Sequence, residues 1–355
     1  MVYVTLVLCF IASVLLTPVV KKLAFVIGAT DKPNHRKVHQ KIMPRLGGLA
    51  IYLSFIVGVL VLRPDSSYMI PIIIGSTIII ITGILDDMRE LSAKVKFIAQ
   101  IAAASVVVIY GGIDIDFITL PFGAELDFGP LAIPLSILWI VGITNAINLI
   151  DGLDGLAAGV STIALVTITG MAMVIGNASA PFVIAIGLIL IGSTTGFLLY
   201  NFYPAKIFMG DTGALFLGFM IAVLSLLGFK NVTVISFIAP VIILGVPISD
   251  TFFAIIRRIL HKQPLSAPDK SHLHHCLLRL GYSHPKTVLI IYGLSALLGL
   301  TAFVFTTVTH TWISGMIVLT LLLIVEVGAE KIGLMGQHHR PVLKTLEAIY
   351  ARSRG

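Results

Sequence analysis

Residues 69–90 read Met69-Ile70-Pro71-Ile72-Ile73-Ile74-Gly75-Ser76-Thr77-Ile78-Ile79-Ile80-Ile81-Thr82-Gly83-Ile84-Leu85 and then, without a spacer, Asp86-Asp87-Met88-Arg89-Glu90. The first seventeen carry no charge, and at about 1.5 Å per residue a helix of them is just long enough to cross a hydrocarbon layer. Two adjacent acids at its end are costly beside lipid unless they are used. The same arrangement recurs along the chain: Asp151 and Asp154 follow an apolar run at 130–149, and Asp211 precedes one at 212–229.

Composition points the same way. With 57% hydrophobic and 12% charged residues and a mean hydropathy of +1.03, the chain has too little polar surface for a soluble globule. Eleven segments reach spanning length, at about 2–20, 46–62, 69–85, 97–112, 130–149, 157–175, 182–200, 212–229, 232–256, 287–308 and 312–329. The fold expected is therefore an all-α polytopic membrane protein of about eleven transmembrane helices, one domain over 1–355, without internal repeats. The first run, Val2 to Val20, has no basic residue before it and Lys21-Lys22 after it, the reverse of a signal peptide, and reads as a retained helix.

An odd number of spans puts the termini on opposite sides. With the N-terminus outside, twenty-two Lys and Arg lie on cytoplasmic segments and two, Arg63 and Lys230, outside. That asymmetry orients the chain with its C-terminus in the cytoplasm. It also accounts for the formal charge of +7, so no nucleic-acid partner is expected. All the acids named above then fall on the cytoplasmic side, although acids contribute little to orientation. Outside, residues 112–129 alternate apolar and polar around Pro121-Phe122-Gly123, a pattern that suits a small extracytoplasmic β-hairpin and equally a solvated loop. The tail from Glu330 reads as a basic surface helix, and two cysteines, Cys9 and Cys276, make no disulfide framework.

Several residues suit phosphate and metal chemistry. In Asp86-Asp87, taken to follow the third helix, one carboxylate can position a metal complex while the other acts as a base; a hydrated loop is the alternative. Lys94 and Lys96, placed before the next helix, suit phosphate or lipid headgroups. Asn145, Asn148, Asp151 and Asp154 recur every third residue, so a helical end would present them as one polar stripe of oxygen donors. Gly152 and Gly155 permit close approach of backbone to a ligand. Further on come Asn201, Lys206 and Phe208-Met209-Gly210-Asp211-Thr212-Gly213. There Asp211 reads either as a helix N-cap or as a carboxylate holding Mg²⁺ on a pyrophosphate. Phe208 can stack on a base or simply pack.

The longest inside loop carries Arg257-Arg258, His272-Leu273-His274-His275 and Arg279. Zinc wants ligands from separated elements, so phosphate binding is the better reading of the three histidines. Asp250 precedes Arg257 by two turns and reads either as a partner to the site or as a structural ion pair. Near the front, a basic loop from Asp31 to His39 leads to Pro44-Arg45-Leu46-Gly47-Gly48.

Taken in order, Pro-Arg-x-Gly-Gly, the Asp pair, Asn-x-x-Asn-x-x-Asp-Gly-x-Asp-Gly, Phe-Met-Gly-Asp-Thr-Gly and His-x-His-His resemble the polyprenyl-phosphate N-acetylhexosamine-1-phosphate transferases. That superfamily also holds the phospho-MurNAc-pentapeptide translocases. The match spans nearly the whole chain, and the His-Leu-His-His form resembles the bacterial branch that uses UDP-N-acetylglucosamine.

The resemblance implies transfer of GlcNAc-1-phosphate from UDP-GlcNAc to undecaprenyl phosphate at the cytoplasmic face of the bacterial cell membrane. It also implies Mg²⁺ or Mn²⁺, and pairing of two copies would be compatible with it. By position, Asp211 and Asn148 would hold the metal, Asp86 and Asp87 would supply the base, and Lys96 with His272, His274 and His275 would bind the diphosphate. Phe208 would stack on uracil and Asp154 would help read it, with Asn145, Asp151, Asn201, Arg279 and Arg45 as further substrate contacts. The chain departs from some members in having Arg89-Glu90 where they place a lysine. A secondary transporter, with acids at the midplane and repeated halves, and an intramembrane zinc hydrolase are the alternative classes.

Overall fold

The computed structural model describes residues 1–31, 42–115, 117–119, 124–229, 234–264, 269, 271–307 and 311–332. The expectations for the basic loop after Asp31, for Lys230 and for the tail beyond Ile332 lie outside them. The described chain is helical: α1 (Val2–Ile27), α2 (Gly47–Leu62), α3 (Met69–Arg89), α4 (Ala93–Ser105, continuing as a π turn Val106–Tyr110), α5 (Ala132–Ile150), α6 (Leu156–Ile175), α7 (Ala180–Asn201), α8 (Gly210–Phe229), α9 (Val234–Ile243), α10 (Gly245–Leu260), α11 (Leu273–Arg279), α12 (His284–Thr307) and α13 (Thr311–Ile332). Among the described residues, eight helices are long and apolar enough to cross a membrane, and α2 is a shorter apolar helix. Two short antiparallel pairs complete the structure. β1 (Thr30–Asp31) meets β2 (Met43–Pro44), and β3 (Phe117–Thr119) meets β4 (Glu125–Asp127) where the hairpin was expected.

Each expected span corresponds to a helix except 232–256, which is divided at Leu244 into α9 and α10. Pro247, in the first turn of α10, has no N–H to return to the carbonyl four residues back, and Pro240 lies inside α9, so a continuous ladder cannot form here. A second difference concerns the acids. Asp86 and Asp87 do not follow α3 but form its last turns, and the helix ends at Glu90, whose φ of 50° is left-handed. Lys94 and Lys96 likewise lie inside α4, which starts early because Ser92 Oγ accepts the Val95 N–H at 3.4 Å.

Backbone groups in an apolar layer must be satisfied within the chain, and helices do this. The hydroxyls within them mostly bond back one turn, as Thr17 to the Ser13 carbonyl (2.7 Å), Thr82 to Ile78 (2.8 Å) and Thr144 to Ile140 (2.6 Å). At the centre is α8, packed against α2, α3, α5, α6 and α7 and buried along its whole apolar window. Small residues permit that approach. A Cβ on Gly48 would lie 2.0 Å from the Gly213 nitrogen, and one on Gly83 2.4 Å from the Thr212 Cα, so α2 and α3 meet the start of α8 backbone to backbone.

Candidate active site

The first turn of α8 is where the scattered acids converge. Its leading N–H groups need acceptors, and these come from another helix. Asp87 Oδ1 accepts the Asp211 N–H at 2.9 Å, while Oδ2 accepts the Thr212 N–H at 3.1 Å and its hydroxyl at 2.7 Å. Gly210, at φ 71°, admits this carboxylate, since a Cβ there would sit 2.4 Å from Asp87 Oδ2. The cap of α8 is thus Asp87, reaching over from α3, and not Asp211.

Freed from capping, the Asp211 side chain faces two cations. Lys96 Nζ lies 2.8 Å from Oδ2 and Arg45 Nη2 3.3 Å from Oδ1. Each cation also has a second acid: Lys96 reaches Asp86 Oδ2 at 3.2 Å, and Arg45 Nε lies 3.5 Å from Asp87 Oδ1. The other Asp86 oxygen accepts the Leu91 N–H at 2.7 Å. Arg45 is delivered by main-chain pairing: Phe208 N–H donates to the Pro44 carbonyl (2.9 Å) and Gly47 N–H to the Phe208 carbonyl (3.0 Å). Burial works against the charge on Arg45, but the carboxylates of Asp87, Asp211, Asp31 and Asp151 outweigh it and raise its pKa.

The Asn-Asp repeat does not form one stripe. Asn145 and Asn148 lie on α5; Asp151 is its C-cap, with ψ of 57°, and Asp154 sits in the turn before α6. The helix unwinds at Asp151 because Gly152 and the left-handed Gly155 (φ 77°) favour a turn there. Burial, and then the nearby Asp211, push the Asp151 carboxyl up to about 7, with Asp87 and Asp154 adding and Arg45 opposing. Asp151 therefore belongs electrically with the Asp211 cluster. Asp154 turns away from it: its Oδ2 accepts the Ala205 N–H at 2.9 Å and its own N–H donates to His284 Nε2 at 3.0 Å. Asn201 spends its amide on the Gly155 N–H (3.1 Å) and the Ile207 carbonyl (3.0 Å), bracing the loops on either side. Asn145 exchanges hydrogen bonds with Gln100 of α4, at 2.5 and 3.4 Å.

The histidines approach from α11. His274 packs on Gly152, where a Cβ would lie 2.3 Å from its Nε2, and among the described residues that nitrogen has no hydrogen-bond partner. Burial, reinforced by His275 and His272, lowers its pKa to about 3, so it meets a ligand as a neutral ring. His275 is lowered as well, first by burial. His272 bonds through Nδ1 to Asp250 Oδ2 at 2.9 Å. Arg279 is exposed and donates to Cys276 Sγ at 2.9 Å. Phe208 is half-buried beside Arg45.

Sequence reading missed Thr212, Gln100, His284 and Tyr292, whose hydroxyl donates to the Gly155 carbonyl at 2.5 Å. Only Thr212 had a local signal, its place beside Asp211; the others are single polar residues in apolar or loop sequence that only folding brings to the site.

Among the described residues no three His, Cys, Asp or Glu side chains form a ready cage for a metal. A hard cation such as Mg²⁺ does not require one, since it takes one or two carboxylates and completes its shell with water and substrate phosphates. Asp211 and Asp151 offer carboxylate oxygens, which suit such an ion.

Known proteins similar to this chain identify its family. Residues 69–229 match the model of glycosyl transferase family 4. The chain is 50% identical to a probable undecaprenyl-phosphate N-acetylglucosaminyl 1-phosphate transferase of Bacillus subtilis, over 98% of both chains. It is 36% identical to a decaprenyl-phosphate N-acetylglucosaminephosphotransferase of Mycobacterium tuberculosis (77% of this chain, 74% of the relative). Identity is 29% to the undecaprenyl-phosphate alpha-N-acetylglucosaminyl 1-phosphate transferase of Escherichia coli K12, over 78% and 77%. With residues 86–87, 148–154 and 211 inside the matched region, this chain belongs to the family of polyprenyl-phosphate N-acetylglucosamine-1-phosphate transferases.

Proposed function

We propose that the protein transfers GlcNAc-1-phosphate from UDP-GlcNAc to undecaprenyl phosphate, releasing UMP and starting a cell-envelope polymer of the wall teichoic acid or O-antigen type. The observation that carries this reading is the Asp211 carboxylate, released from capping and held between Lys96 and Arg45 beside Asp86, Asp87 and Asp151. In this reaction an oxygen of the lipid phosphate attacks the β-phosphorus of the donor, and the bond to the α-phosphate oxygen breaks. Several negative charges meet, so catalysis is chiefly neutralisation and alignment. Lys96 and Arg45 supply fixed positive charge, and Asp86, which shares Lys96 with Asp211, is placed to take a proton from the lipid phosphate. His274 lies against Gly152, with the rings of His272 and His275 beside it, where a diphosphate would extend. Phe208, half-exposed beside Arg45, offers a ring to the uracil.

Mg²⁺ or Mn²⁺, held by Asp211 and Asn148, would neutralise charge on the diphosphate. The excess of Lys and Arg in the segments at this end of the bundle supports its facing the cytoplasm, where UDP-sugars are found. A polyprenyl acceptor enters from the bilayer, which is why such a site lies at the end of a helical bundle.

The test is incubation of the purified protein with labelled UDP-GlcNAc, undecaprenyl phosphate and Mg²⁺. We expect lipid-linked sugar and UMP in equal amounts, none after chelation, and recovery on adding Mg²⁺ back. Failure to form UMP would overturn the proposal. Efficient transfer from UDP-MurNAc-pentapeptide would move the chain to the peptidoglycan branch.

A further inference from the structure

Asp250 is a buried carboxylate to which the reaction above gives no role. It lies on α10 and is 2% exposed, and its two oxygens serve adjacent groups of one segment. Oδ1 accepts the Leu273 N–H at 2.8 Å, and Oδ2 lies 2.9 Å from His272 Nδ1. Seven residues on, and so on the same face of α10, Arg257 binds Asp269 through Nε and Nη2 at 3.1 and 2.5 Å, and Asp269 Oδ1 accepts the Ser271 N–H at 2.9 Å. The chain on both sides of His272 is thereby fastened to α10.

An ionised carboxylate only accepts, so the ring nitrogen facing it carries the proton. Nε2 is then the free nitrogen of His272, and among the described residues it has no protein partner. The ring lies nearly parallel to that of His274, with an interplanar angle of 3° and centroids 6.0 Å apart, and His274 rests on Gly152 beside Asp151.

We infer that Asp250 is a positioning residue which fixes the Nδ1 proton of His272 and so makes Nε2 the nitrogen offered to the phosphates of the substrate. The inference rests on the proposed transfer reaction. Arg257 and Asp269 assist by holding the flanking backbone, but they do not choose the nitrogen. Behind a metal-ligating histidine, a partner of this kind carries about a 10–100-fold effect.

Two substitutions separate this from a structural pin. His272→Asn keeps an N–H where Nδ1 was and can still bond Asp250, but it has no counterpart of Nε2. Asp250→Asn keeps an oxygen for the Leu273 N–H and offers the ring an N–H, which forces the proton onto Nε2. We expect His272→Asn to melt like wild type in detergent while losing at least tenfold in kcat. Asp250→Asn should lose about 10–100-fold in kcat, with KM less affected, and the double variant should be no slower than the worse single one. Wild-type turnover in His272→Asn, or losses that multiply in the double variant, would overturn the inference.

Histidine ¹⁵N spectra read the tautomer without turnover. Wild type should show a protonated Nδ1 at His272 and Asp250→Asn a protonated Nε2; the same tautomer in both would also overturn it. If the wild-type protein makes neither lipid product nor UMP, it is the transfer reaction that fails, and the spectra still decide whether Asp250 sets the tautomer.

Discussion

Replacing Asp87 with alanine should unfold the site before it slows it. The carboxylate has no exposed surface and accepts three hydrogen bonds from the first turn of α8, two of them from backbone N–H groups. Each buried donor left without a partner costs about 1–3 kcal/mol, and the Thr212 hydroxyl can partly recover by turning to a carbonyl. Losing all three, with the cap they form, should cost about 3–5 kcal/mol.

Asp211→Asn is the matched control. Its neighbours Lys96 and Arg45 each keep another acid, so its effect on unfolding should stay within about 1 kcal/mol while turnover collapses. The assay is reversible unfolding in mixed micelles with increasing SDS, followed by helical circular dichroism, alongside UMP release. If Asp87→Ala unfolds at the wild-type SDS fraction, or Asp211→Asn loses as much stability as Asp87→Ala, the division of labour between these acids is wrong.

Three further outcomes are expected. Gly48→Ala puts a methyl 2.0 Å from the Gly213 nitrogen, a contact with backbone that cannot yield locally, so it should destabilise by about 1–3 kcal/mol or more in the same SDS titration. Asp151, raised to about 7, binds its proton more tightly folded than unfolded. It therefore stabilises below the ordinary carboxylate range, and that contribution is lost as pH rises through about 7. Asp151→Asn should flatten this fall, so an unchanged pH slope between 5 and 8 would contradict the assigned environment. Gly152→Ala crowds His274 Nε2 at 2.3 Å and should lower kcat with little change in melting, measured by UMP release and thermal scanning.

The apolar segments were legible because each needs only length and hydropathy, and most of their ends agree with the helices to within a few residues, although α1 runs past Val20 to Ile27. The break at Leu244 was not, because a run such as 232–256 scores as one block although Pro240 and Pro247 interrupt its ladder. The acids at the site were also found from sequence, since charge at the end of an apolar run stands out. Their division of labour was hidden. An Asp in the first turn of a helix normally reads as its own cap, and nothing local reveals that Asp87, 124 residues away, already fills that role. The periodic Asn-Asp stripe failed for the converse reason: spacing by threes implies one face only while the helix lasts, and α5 stops at Ile150.

Because α8 is surrounded by protein along its whole apolar window, it presents no side to the lipid. A helix answers a thicker or thinner bilayer by tilting against the acyl chains, and α8 has no acyl chains to answer to. Mechanical stress from the membrane must instead be absorbed by peripheral elements such as α1, with its row of exposed Val4, Val7, Ile11, Leu15 and Val19. The carboxylate at the head of α8 is in effect mounted on a post isolated from its surroundings. Turnover in nanodiscs of different acyl length should accordingly vary through delivery of the lipid acceptor, in KM, while the rate at saturation stays level.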